Sequence, residues 1–374
     1  MKITIERNPK NVQLLKLMAD RNTSKALEAR EAFAAFVAPA IQTVIEQAPV
    51  ISNLYRKFTY DWSTPPFINL DYLFDIKQKN FIRVWAQQEA GGLATNAPSP
   101  ISKMPVMTYE LVSAVTFQLE QLRAANLDIV ALALERMAQE VLVKQELNAV
   151  NPLLSAAAQA QYQPNVGPAA FQVYRASTQG QVVPTDFYKL MTLMSRVNSS
   201  WVGGTPMSNV RSITHFVGSP EFLEQVRIMA FEPLQTRLAT TYPMAGPEQF
   251  RDEIYKNAGT PTFAGVEIIN VYDLGKGNNY NAVFANYAGS NAYAGYGGSG
   301  TAVFSNSTEQ VTLGIDARQN FLVCLAEADA DTGATFTVSL DDQYVRRTEK
   351  IGYYGKVREG RVVLDARNVV SLVW

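Results

Sequence analysis

At 374 residues, with 47% hydrophobic and 18% charged side chains, the chain is long enough to bury a large core, and its length suggests two or three domains. Thirty-three Lys and Arg stand against 34 Asp and Glu, a formal net charge of −1, which argues against a dedicated nucleic-acid binder with its basic excess. A single cysteine excludes an internal disulfide, and no segment approaches the roughly 18 consecutive apolar residues of a membrane span. The start, Met1-Lys2-Ile3-Thr4-Ile5-Glu6-Arg7, lacks the apolar run of a signal peptide, so a reducing cytoplasm is the expected place of synthesis.

Residues 1–60 read as an arm. Thr23-Ser24 precedes a helical stretch over Lys25–Val37, with Leu27, Phe33, Phe36 and Val37 as its apolar side. Pro39 and Pro49 punctuate the next stretch, predicting a separate short helix from Ala40 to Gln47. Residues 61–121 are extended in pattern and read as a hairpin, with strands at Phe81–Gln88 and Met107–Gln121. Gly91-Gly92, Pro98, Pro100 and Pro105 interrupt regular structure between them and leave an exposed tip.

A long amphipathic helix comes next, carrying Leu127, Val130, Leu134, Met137, Ala138, Val141 and Leu142. Asn126 or Asp128 can cap it, and Asn151-Pro152 is its expected end. The Ala-, Gln- and Pro-rich run 155–180 reads as a connection, opening with a helical extension. Between Val182 and Ile315 the pattern is α/β. Thr185 caps a helix bearing Leu190, Met191, Met194 and Val197. The strand Ile213–Val217 leads through Gly218 to Ser219 at an N-cap and Pro220 at the first helical position, with Phe222, Leu223, Val226 and Met229 facing inward. Further strands are expected at Gly265–Tyr272 and Asn281–Asn286, and 288–300 reads as a Gly, Ser, Tyr and Asn loop without a core pattern. Cys324 sits in the apolar run Phe321–Leu325, as a buried strand residue would. The last stretch alternates at Thr335–Leu340 and Arg361–Asp365. Arg346, Arg347, Lys350, Lys356 and Arg358 lie between, readable as a solvated strand face or as a phosphate-facing ribbon.

Chemistry is harder to find. His215 is the only histidine and sits mid-strand, and no Gly-x-Ser-x-Gly elbow accompanies it. Asp329 with Asp331, and Asp341 with Asp342, lack a calcium-loop pattern and read as loop acids. Gly295-Tyr296-Gly297-Gly298-Ser299-Gly300 matches G-x-G-x-x-G literally, yet the next residues, Thr301-Ala302-Val303-Phe304, read as strand where a dinucleotide site needs a helix. No catalytic, cofactor or metal residue is assigned, and the expectation is a protein that is not an enzyme.

The order of parts resembles the major capsid proteins of tailed bacteriophages, with the HK-97-like fold. Val84-Trp85-Ala86-Gln87-Gln88-Glu89-Ala90-Gly91 with Met107–Leu119 is similar to that family's extended E-loop, and Leu122–Asn148 to its spine helix. Phe216-Val217-Gly218-Ser219-Pro220-Glu221-Phe222 resembles the strand, turn and helix of its axial domain, and Thr262–Ile268 the glycine-centred strand entry after it. The resemblance implies an α+β fold in five stretches: N-terminal arm 1–60, E-loop 61–121, peripheral-domain spine and connection 122–180, axial domain 181–334, and strands 335–374 returning to the peripheral domain. It implies a virion protein, made in a bacterial host, that self-assembles through hexamers and pentamers into an icosahedral shell around double-stranded DNA. Separate scaffolding, portal and cement proteins are its implied partners, DNA is contacted without sequence preference, and no membrane is involved. The implied inter-subunit contacts are Trp85, Glu89, Gly91, Gly92, Pro98, Lys103 and Pro105 with Phe33 and Phe36, and the implied DNA-facing residues are Arg346, Arg347 and Lys350. Lys103 reads as an ordinary exposed lysine, since no crosslinking partner for it can be matched. An encapsulin-like compartment of the same fold is the nearest alternative, and an enzyme built on 182–315 a more distant one.

Overall fold

The structure, a computed structural model, describes residues 8–20, 23–47, 50–61, 63–70, 102–124, 127–161, 171–197, 212–229, 262–318, 321–329, 333–341 and 350–374. Two helices lead, α1 (Pro9–Met18) and α2 (Thr23–Gln47). Asn8 caps α1 by accepting from Lys10 N at 3.3 Å, and Pro9 takes a first-turn position whose N–H would be unpaired anyway. The expected break at Pro39 does not occur. An internal proline costs about 3 kcal/mol, but Phe33, Val37 and Ile41 on either side of it are all buried in one core, which holds the helix together. Of the expected apolar side of α2, Phe33 and Val37 are buried but Leu27 and Phe36 are exposed, and Ala26, Ala29 and Ala34 point inward in their place.

Strands β1 (Arg56–Tyr60), β2 (Phe67–Leu70), β3 (Ser102–Pro105) and β4 (Tyr109–Gln118) precede helices α3 (Leu119–Arg123) and α4 (Leu127–Gln159). Helix α4 continues through the expected stop at Asn151-Pro152, since Ala149, Val150, Leu153, Leu154, Ala157 and Ala158 are buried across the proline. Then come β5 (Val173–Arg175), α5 (Pro184–Val197), β6 (His215–Gly218), α6 (Pro220–Met229), β7 (Thr262–Phe263), β8 (Val266–Asn270) and α7 (Asn279–Ala288). The strand expected at Asn281–Asn286 is therefore helical. Tyr280, Phe284 and Ala288, four apart, are buried together, a helical spacing. The chain closes with β9 (Ala292–Ala294), β10 (Thr301–Val303), β11 (Val311–Ile315), β12 (Leu322–Glu327), β13 (Phe336–Asp341), β14 (Lys350–Val363) and β15 (Val369–Val373).

These elements form two compact units, which regroup the five stretches expected from sequence. The first takes the described residues of Met1–Phe67, Pro105–Ala149 and Val323–Val362. Its sheet runs β1-β12-β14-β13, with β4 also on β14. Ten register pairs join β4 to β14, from Gln118 opposite Lys350 to Tyr109 opposite Glu359. The expected partner of this strand, Phe81–Gln88, lies outside the described residues. Alternate residues of β4 face inward, and one core joins Phe117, Phe336, Ile351, Tyr353 and Val357 of the sheet to Met18, Phe33, Val37 and Ile41 and to Val130, Leu134, Met137 and Val141 of α4.

The second unit takes the described residues of Ile68–Met104, Val150–Leu322 and Val363–Trp374. Its six-stranded sheet has the order β5-β15-β11-β6-β8-β7, mixing parallel pairs (β5 with β15, β6 with β8) and antiparallel ones. Residues 335–374 thus divide: β15 leaves β13 and β14 and enters this sheet. Every residue of β11 and β15 is buried, as strands covered on both faces require. Phe187 of α5 stacks on Phe263 at 4.2 Å and meets Phe216 edge-on at 5.2 Å, and Phe222 and Trp374 join the same core. Ser219 caps α6 as expected, accepting from Phe222 N at 3.2 Å while donating to Gln310 at 2.8 Å. The run 288–300, expected to lack a core pattern, holds the β9–β10 ribbon and buries Tyr293, whose hydroxyl donates to Ala158 O at 2.8 Å.

Candidate assembly surfaces

Strands β2 and β3 pair as a two-stranded sheet, and below them Val106 N donates to Pro66 O at 3.0 Å. Residues 71–101, which join β2 to β3 in sequence, lie outside the described residues, and with them Trp85, Glu89, Gly91, Gly92 and Pro98. Lys103 and Pro105 belong to β3 and are exposed. Just beyond them Met107 is 94% exposed, while Gly360 of β14 packs so closely that an added Cβ would lie 2.6 Å from Met107 O. The chain at Met107 is thereby held against β14 by a backbone proximity that only glycine permits.

Of the two phenylalanines expected at contacts, only Phe36 is available. It is 56% exposed, whereas Phe33 is 3% exposed with its ring 5.5 Å from that of Tyr353. Phe33 is a core residue, because it falls on the buried stripe of α2. The outward face of α4 carries Ile129, Leu132 and Val143 at helical spacing, all exposed, with Leu132 69% accessible. Between them Arg136 pairs with Glu140 at 2.7 Å. Such a stripe is unusual on a helix whose opposite side is already fully used.

The basic ribbon is less basic than its sequence. Lys356 pairs with Glu110 across the β4–β14 ladder at 3.3 Å, and Arg358 with Glu327 at 3.5 Å. Lys350 opens β14 half-buried, and Arg346 and Arg347 lie outside the described residues. Arg361 is buried and meets Glu359 at 3.1 Å. Glu359 accepts further from Tyr109 Oη at 2.7 Å and Gln145 Nε2 at 3.1 Å, and Arg361 donates to Ser52 Oγ at 2.6 Å. Nearby, Glu146 of α4 accepts from the N–H groups of Val50, Ile51 and Ser52 at 2.8–3.2 Å. Burial pushes the hydroxyls of Tyr55 and Tyr109 well above the usual tyrosine range and the Cys324 thiol up to about 11. This cluster ties β14, β4, α4 and the turn before β1 into one body. Sequence reading missed it; the available signal was Gln145, a polar residue four positions from each of the buried Val141 and Ala149.

The remaining chemical candidates resolve into structure. His215 sits on the sheet with Glu267 at 3.4 Å and Thr214 Oγ1 at 2.8 Å. The G-x-G-x-x-G run joins antiparallel β9 and β10 instead of leading into a helix, and Gly295 N donates to Gly300 O at 3.0 Å. Tyr296 within it donates to Glu309, which also pairs with buried Arg175 at 3.0 Å. No three His, Cys, Asp or Glu among the described residues could together hold a metal, and no helix there is long and apolar enough to cross a membrane. Asp331 and Asp342 fall outside the described residues.

No family model and no curated protein sequence matches the chain. Among solved structures it is similar to the capsid of the native GTA particle, at 12% identity over 87% of this chain and 89% of that one, with a TM-score of 0.49. It is similar to the capsid of cyanophage P-SCSP1u at 13% identity over 87% and 88%, TM-score 0.47. The holo-SrpI encapsulin complex from Synechococcus elongatus PCC 7942 is similar at 12% identity over 86% and 85%, TM-score 0.44.

Proposed function

We propose that this chain is a shell-forming subunit, a major capsid protein of the HK-97-like kind that self-assembles into an icosahedral shell around double-stranded phage DNA. The observation that carries the reading is the two-stranded β2–β3 sheet, whose strands pair although residues 71–101 separate them in sequence. Connections inside compact domains run to about 4–6 residues, and loops beyond about 12–15 are uncommon, usually functional or linker segments. An arm on a paired stem suits a reach to a neighbouring subunit, with Trp85, Glu89, Gly91, Gly92, Pro98, Lys103 and Pro105 as its contacts. Exposed Phe36 and the Ile129, Leu132 and Val143 stripe are surfaces such neighbours would cover. Many modest contacts repeated around closed symmetry make a strong shell without one tight pair. Arg346, Arg347 and Lys350 are the proposed DNA-facing residues, acting on phosphates without reading bases.

Electron microscopy of the expressed protein tests the reading. Closed megadalton shells are expected, and deleting Gly91–Pro100 while sparing the stem should leave a folded subunit that forms none. A stable monomer or dimer that never assembles overturns the proposal. Nuclease-resistant double-stranded DNA inside particles from infected cells is the expected content; enclosed protein cargo without DNA would mean a compartment shell instead.

A further inference from the structure

The outward stripe of α4 has the period of a helix-pairing seam. Ile129, Leu132, Arg136, Gln139, Val143 and Glu146 follow one another at alternating spacings of three and four residues, the heptad period at which one helix presents a continuous row to another. Gln139 and Glu146 are half-buried and the other four are exposed. Exposed Val50 is held beside the Glu146 end by its N–H on that carboxylate. The row also reads the same from either end. Turned end for end about the level of Met137 and Ala138, Leu132 falls opposite Val143, Arg136 opposite Gln139, and Ile129 opposite Glu146 with Val50 beside it.

We infer that α4 pairs antiparallel with α4 of a second copy across a two-fold axis, along Ile129–Glu146. A partner of different sequence would not require a row that matches itself when reversed. The charges fit the same arrangement. Arg136 and Glu140 bridge one another at 2.7 Å on the surface of one chain, and antiparallel pairing brings Arg136 within reach of Glu140 of the second copy and the reverse. Parallel pairing would instead set Arg136 level with Arg136 and Glu140 level with Glu140, a repulsive register. The inference rests on the shell-forming reading and deepens it, because a contact on a two-fold axis of a closed shell must be self-complementary.

Co-expression of a Leu132→Cys chain with a Val143→Cys chain tests it, the native Cys324 being buried. Mild oxidation should give a mixed dimer on a non-reducing gel. Either variant alone should give none, because its two thiols would lie about 16 Å apart along the axis, beyond disulfide reach. A homodimer of either variant, or no dimer at all, overturns the inference. Charge reversal is a second readout. Arg136→Glu or Glu140→Arg alone should lower particle yield about tenfold with little change in melting temperature, since both side chains are exposed. Co-expressing the two should recover particles, because each chain then meets opposite charge on the other; unchanged yield in the single variants, or no recovery in the mixture, overturns the pairing. Shells without the mixed dimer leave the shell reading standing and sink the pairing, and a mixed dimer without shells does the reverse.

Discussion

The two sheets differ in how completely each satisfies itself. In the second unit β11 and β15 are buried along their whole length, and buried Asp186 accepts from Ser177 N and Oγ, Tyr174 Oη and Val183 N, all at 2.8–3.2 Å. In the first unit β4 alternates between inside and outside, β13 has β14 as its one strand partner among the described residues, and α4 presents apolar side chains outward. Polar groups there are gathered instead into one buried knot around Glu359 and Arg361. The contrast separates a sheet buried within one chain from one beside which apolar side chains stay at the surface.

The largest expected effect comes from breaking that knot. Arg361→Met leaves Glu359 buried without its cation and should destabilise the first unit by about 3–5 kcal/mol. Hydrogen exchange should report the loss in β4 and β14 but not in β11 and β15. A uniform loss would mean that the two units unfold as one, and the comparison would fail. Asp186→Ala is the mirror experiment: four donors lose their acceptor, at about 3 kcal/mol, and protection should fall around α5.

High pH should separate the units more gently. Cys324, Tyr55, Tyr109 and Tyr353 of the first unit and Tyr293 and Tyr296 of the second are all raised, chiefly by burial. The unfolded chain releases these protons first, so stability is full below about pH 9 and falls as pH rises. For Cys324 the loss runs from about pH 9 to about 11 and is on the order of 1 kcal/mol at pH 10. The first unit, with more such groups, should lose protection earlier in a base titration. Ser219→Ala should cost about 1 kcal/mol through the lost cap of α6, read as a melting shift in the second unit. Leu132→Gln should change stability by less than about 0.5 kcal/mol, because the side chain is exposed, yet reduce particle yield. Equal yield would remove the α4 stripe from the assembly surfaces.

Much of the second unit was readable. The Ser219-Pro220 start of α6 and its inward Phe222, Leu223, Val226 and Met229 follow from local spacing and capping, as does the buried strand around Cys324 in the first unit. Helix ends at Pro39 and Pro152 were misjudged for one shared reason: a proline's local penalty was outweighed by apolar burial on both sides of it. Helix α7 was misread because a short apolar run can suit either period.

Strand and helix periodicity, caps and charge balance were determined by the sequence itself, since each depends on neighbours within about four residues. Tertiary structure alone decided that β4 pairs with β14 about 240 positions away, that β15 leaves its sequence neighbours for the other sheet, that Phe33 is core while Phe36 is surface, and that Glu359 and Arg361 are a buried pair. Register and burial come from long-range packing, where many weak contacts compete at once, and no local pattern ranks those alternatives.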